Sequence, residues 1–121
     1  MNQMKSFLRH LKKNPLYAGG FSNRADVFSN FQKEDDPKIQ IVYANYVNED
    51  YSGVATVFYY RRDTRKYYET YASHCSCYRL EGQWNSDEIL VPEEMEKRLS
   101  NGQLGDGDIF KQAFESFKEG R

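Results

Sequence analysis

The sequence predicts an α+β fold: a three- or four-stranded antiparallel meander flanked by N-terminal and C-terminal helices. Three observations predict it. Apolar residues recur at helical spacing at both ends of the chain, at Met4, Phe7, Leu8 and Leu11 and again at Ile109, Phe110, Ala113, Phe114 and Phe117. Between them the pattern changes to β-branched and aromatic runs at 38–47, 53–62 and 65–73. The links between those runs, "NEDYSG" and "DT", are short turn sequences of the kind that join antiparallel neighbours.

Taken in order, residues 2–13 read as an amphipathic helix that stops at Asn14-Pro15, because the residue before proline disfavours helical geometry. Gly19-Gly20 reads as a hinge or tight turn. Asn23 is a candidate cap for a second helix with Val27, Phe28 and Phe31 as its buried stripe. "KEDDP" then breaks the chain. The second of the three strands is apolar on both faces through Val54, Ala55, Val57 and Phe58, so it is expected at the centre of the sheet. After residue 84 a loop leads to a helix opened by Pro92, with Glu93 and Glu94 at its positive end, Lys97 and Arg98 near its negative end, and Gly102 beyond it. Asp108 is positioned to cap the last helix. The chain is expected to be one domain over 1–121, divided into an N-terminal helical part (1–37), the meander with its cysteine motif (38–84) and a C-terminal helical part (85–121).

At 121 residues the chain can bury one sizeable core. It is 39% hydrophobic and 29% charged, which excludes a disordered chain held open by its own charge. Nine of its ten tyrosines lie between Tyr43 and Tyr78, which marks the sheet as Tyr-rich. A net charge of -1 supplies no global field toward nucleic acid. Basic residues cluster locally at Lys5, Arg9, Lys12 and Lys13 and at Arg61, Arg62, Arg65 and Lys66; acidic ones cluster at Glu34, Asp35 and Asp36 and at Glu93, Glu94 and Glu96. No apolar run approaches the ~20 residues of a membrane span, and charges interrupt any signal-like segment at the N-terminus. The expected location is the cytoplasm, where Cys75 and Cys77 would be thiols or ligands rather than a disulfide.

The stretch "YASHCSCYRLEGQW", 71–84, holds both cysteines, one of the two histidines and the single tryptophan. Three readings of it stay open. His74, Cys75 and Cys77 are soft enough donors for zinc, although adjacent strand residues face opposite ways and no second ligand pair follows. Cys75 or Cys77 would serve as a nucleophile if His74, His10 or one of the arginines at 61, 62 and 79 lowered its pKa. In the third reading the motif is structural: the cysteines pack, Ser73 and His74 bond to backbone at the strand end, Gly82 turns the chain, and Leu80 and Trp84 point inward beside Glu81.

From residue 51 to about 99, "GVATVFYYRRDTRKYYETYASHCSCYRLEGQW" with the acidic "DEILVPEE" after it resembles a group of small, mostly uncharacterised bacteriophage proteins. They carry a central hairpin followed by a "SHCSCYGLEGQW"-like motif. This chain departs from the pattern at Arg79, where glycine is usual, and at the hairpin tip, which carries "DTR" in place of a glycine. The resemblance implies a protein of the host-cell cytoplasm, with no cofactor, that inhibits a bacterial host or defence machine by occupying its surface, for instance a CRISPR effector. Tyr60, Arg61, Arg62, Arg65, Lys66 and Tyr67 are the candidate contacts, since tyrosine and arginine are favoured at interface hot spots and can also stack bases or hold phosphates. Two alternatives remain: a homo-oligomeric sequestrant of a nucleotide signal, with Arg61 or Arg62 on phosphate and a tyrosine or Trp84 on the base, and a small enzyme or zinc protein using Cys75, Cys77 and His74.

Overall fold

A computed structural model describes residues 3–48, 52–74, 80–89 and 108–120. Helix α1 (Gln3–Lys13) is followed by strand β1 (Leu16–Gly19), helix α2 (Arg24–Phe31), strands β2 (Ile39–Asn48), β3 (Gly53–Arg61), β4 (Lys66–His74) and β5 (Ser86–Ile89), and helix α3 (Asp108–Lys118). The fold is α+β, with helices at both ends of the chain. The helix expected from Pro92 to Gly102 lies outside the described residues, as does the side chain of Asp108.

The sheet has five strands in the order β1-β2-β3-β4-β5. Strands β2 to β5 form the expected antiparallel meander. Two features correct the sequence reading. The sheet is mixed, because β1 runs parallel to β2 with Leu16 opposite Tyr43 and Gly19 opposite Tyr46. A parallel neighbour needs a crossover, and residues 20–38 with α2 supply it. The expected tight turn at Gly19-Gly20 is present and ends this strand, with the Phe21 N–H donating to the Ala18 carbonyl at 3.2 Å. Gly19 has φ +61, and a Cβ there would strike the Tyr46 carbonyl oxygen. The second correction is β5, which pairs Ser86 with Thr70 and Ile89 with Tyr67 where a loop was expected.

Helices cover both faces. The α1 stripe of Met4, Phe7, Leu8 and Leu11 joins Phe110 and Phe114 of α3 on Val42, Tyr43 and Phe58. On the other face Val27, Phe28 and Phe31 of α2, with Phe21, pack on Ile39, Ile41, Ala44, Tyr46, Ala55, Val57, Tyr59 and Ala72. Strand β3 sits at the centre, as its two apolar faces require. A bulge in β2 explains an alternation the sequence lacks. Ile41 pairs with Tyr59 and Tyr43 with Phe58, so Val42 is the extra residue. It turns Val42 and Tyr43 both toward α1, and Ala44 and Tyr46 then return to the α2 side.

Local chemistry sets the ends. Asn23 caps α2 by accepting a 2.8 Å bond from the Asp26 N–H. Arg24 ties α2 to the start of β2. Its guanidinium donates to Asp35 at 2.6 Å, to the Ile39 carbonyl at 2.7 Å and to the Asp36 carbonyl at 2.7 Å. That guanidinium holds the Asp35 carboxyl below the usual carboxylate range.

Candidate functional site: a basic hairpin and the groove beside it

The β3–β4 hairpin turns through Arg62, Asp63, Thr64 and Arg65. The Arg65 N–H donates to the Arg61 carbonyl at 2.8 Å, and Arg65 closes the turn in the left-handed region at φ 59. That conformation suits glycine, and it costs an arginine about 1 kcal/mol.

The six hairpin residues singled out from the sequence do not form one open patch. Arg61 folds back on Asp63, with Nη2 to Oδ2 at 2.9 Å, and reaches Asp36 at 3.5 Å. Asp63 is the main reason its pKa rises, and the Asp63 carboxyl falls in return. Lys66 pairs with Glu88 of β5 at 3.1 Å. Tyr60 and Tyr67 lie ring to ring at 5.1 Å, with Lys12 of α1 over Tyr60 at 3.7 Å. Arg62 and Arg65 remain, both exposed, and neither makes a side-chain hydrogen bond or ion pair among the described residues.

Burial pushes the Tyr67 phenol up to about 12, with Tyr60 adding to the shift and Arg9 opposing it. The folded phenol therefore stays neutral where an unfolded one ionises, near 10. The associated stability is complete below about pH 10 and is lost as pH rises toward 12. For a half-exposed ring the loss is expected to be roughly 1–2 kcal/mol after solvent screening. Urea melts of the parent and Tyr67→Phe on both sides of that window check it: the parent should lose more, and equal losses would refute the assignment.

Beside the hairpin lies a groove of about 510 Å³. Its floor is Ile39, Gln40 and Ile41 of β2. It exists because β1 begins only opposite Tyr43, so this part of β2 has no strand on that side among the described residues. Pro15, Tyr17 and Pro37 form its walls, and Lys12, Arg62 and the Arg24–Asp35 pair bring charge to it. Burial, then Arg9, lowers the Lys12 pKa. Burial chiefly raises that of Tyr17, so its phenol is a neutral donor. Lys12, Tyr17 and Arg24 were not singled out as site residues from the sequence. They come from three separated segments, and only the β1–α2–β2 crossover brings them together.

The cysteine stretch divides. Cys75, Cys77 and Arg79 lie outside the described residues. Ser73 is exposed at the end of β4. His74 places its Nε2 2.5 Å from the Tyr46 hydroxyl, and the two rings meet edge-on at 5.7 Å. A metal bound through Nε2 would have to displace that hydroxyl. Leu80 is fully buried, Glu81 is exposed, and Gly82 turns the chain at φ +77. Trp84 packs 5.0 Å from Phe31 and 5.4 Å from Tyr59.

No family model matches the chain, and neither do any of the curated proteins or solved structures compared with it.

Proposed function

We propose that the protein is a non-catalytic binder that inhibits a bacterial protein or ribonucleoprotein machine by occupying an anionic surface with the tip of its β3–β4 hairpin. The observation that carries this reading is Arg65. It stands exposed and unpaired among the described residues, in a backbone conformation that glycine would adopt without strain. Its guanidinium adds no hydrogen bond or ion pair to the described fold, which supports a use with a partner. Arg62, three residues earlier in the same turn, is also exposed and unpaired there. Asp63 is already engaged by Arg61, which leaves the tip's outward charge positive. The resemblance of residues 51–99 to bacteriophage proteins supplies the setting, a host or defence machine; a nucleic-acid-bearing effector offers such an anionic surface.

The test is capture from bacterial lysate, identification of the captured component, and titration of its activity. Arg62→Glu with Arg65→Glu is expected to weaken both capture and inhibition by about tenfold to a hundredfold, and parent binding should fall as salt rises. A charge-reversed protein that captures and inhibits as well as the parent would overturn the reading.

A further inference from the structure

We propose that the groove between β1, the start of β2 and the hairpin binds a phosphate-bearing small molecule of nucleotide size, with Lys12 and Arg62 on the phosphate and the uncharged part against Pro15, Tyr17 and Pro37. The argument starts from where cations find their counter-charges. Arg24, Arg61 and Lys66 each meet a carboxylate, on Asp35, on Asp36 and Asp63, and on Glu88. Lys12 and Arg62 meet none among the described residues, and both line this groove. Lys12 is moreover partly withdrawn from water with Arg9 as its charged neighbour. Its ammonium lies over the Tyr60 ring at 3.7 Å and meets no carboxylate among the described residues, so an anion in the groove would stabilise it further.

Asp35 is the single carboxylate lining the groove among the described residues, and Arg24 holds it with three short contacts. It therefore presents a neutralised pair to an incoming anion. Arg62 offers a planar fork that matches two phosphate oxygens. Size then selects the ligand class. At about 510 Å³ the groove falls in the ordinary range for organic ligands and far exceeds a bare phosphate. The excess space is walled by two proline rings and the Tyr17 ring, surfaces suited to a flat uncharged moiety, and the neutral Tyr17 hydroxyl can donate a hydrogen bond to it.

This site shares Arg62 with the proposed partner surface but not Arg65, which separates the two experimentally. AMP, adenosine and inorganic phosphate are titrated into the full chain by calorimetry. AMP is expected to bind with a dissociation constant of about 1 mM or tighter, and adenosine and phosphate each at least about tenfold more weakly. Lys12→Gln and Arg62→Ala should each weaken AMP by about tenfold, whereas Arg65→Ala leaves AMP unchanged. The proposal is overturned if AMP gives no binding by about 5 mM or binds no tighter than its two parts. It is equally overturned if Lys12→Gln and Arg62→Ala bind as the parent does, or if Arg65→Ala weakens AMP as much as they do. Failure of AMP binding leaves the partner reading intact, and failure of the lysate capture leaves this one intact.

Discussion

Phe7→Ala is expected to lower the unfolding free energy by about 3–5 kcal/mol, the range for truncating a buried aromatic ring. Phe7 is 2% exposed, and its ring centroid lies 5.3 Å from those of Phe110, Phe114 and Phe117. It is the main ring through which α1 holds α3, with His10 meeting Phe117 at 5.6 Å beside it. Removing it leaves a cavity between two helices and strips α3 of three aromatic contacts, each worth about 0.5–1.5 kcal/mol beyond area burial. Phe110 still touches Tyr43 and Phe58, so α3 has a remaining foothold on the sheet. The loss should thus be uneven: amide protection in α3 falls further than in β3. Phe7→Leu keeps most of the volume and should cost less than about 1.5 kcal/mol. Urea denaturation measures both. A loss below about 1 kcal/mol for the alanine variant would mean that α3 is not anchored as described.

How much of this was readable in the chain follows from the range over which each feature is encoded. The helical stripes of α1, α2 and α3 and the central place of β3 are local patterns; α1 and α2 bury the residues their spacing marks, while α3 buries Phe110 and Phe114, half-buries Ala113 and Phe117, and leaves Ile109 of the expected stripe exposed. Strand β1 is four residues long and has no alternation, and its partner lies across a helix, so nothing nearby announces it. The bulge at Val42 is invisible because an extra residue in a continuous apolar run breaks no pattern. The hairpin was legible as a basic element, but the division of labour within it was not. That Arg61 turns to Asp63 could have been read from the spacing in "RRDTR"; that Lys66 meets Glu88 depends on β5. The groove was not legible at all, since it depends on where β1 begins along β2.

Gly53→Ala is expected to cost about 2–4 kcal/mol, from overpacking and the loss of a hydrogen bond. A glycine inside a buried strand is ordinarily a weakness. Here it is the space through which two side chains meet. Gly53 pairs with His74 on β4 and with Asn48 on β2, and a Cβ on it would stand 2.5 Å from His74 Nε2 and 2.9 Å from Tyr46 Cε1. Either His74 or the Tyr46 ring must move, and that ring is buried against Phe21 at 5.2 Å. The less buried His74 gives way first. A double-mutant cycle tests this: in a His74→Ala background the cost of Gly53→Ala should shrink by at least about 1 kcal/mol, and additivity within about 0.5 kcal/mol would show that the alanine does not act through His74. The same variant weighs the two ends of the sheet against each other. Gly53 and His74 lie at the opposite end of β3 and β4 from Arg62 and Arg65, so folded Gly53→Ala should keep partner capture and AMP binding at parental strength. If it abolishes capture while remaining folded, the contact surface belongs at the end where the cysteine motif begins, and the hairpin tip is a solvated turn.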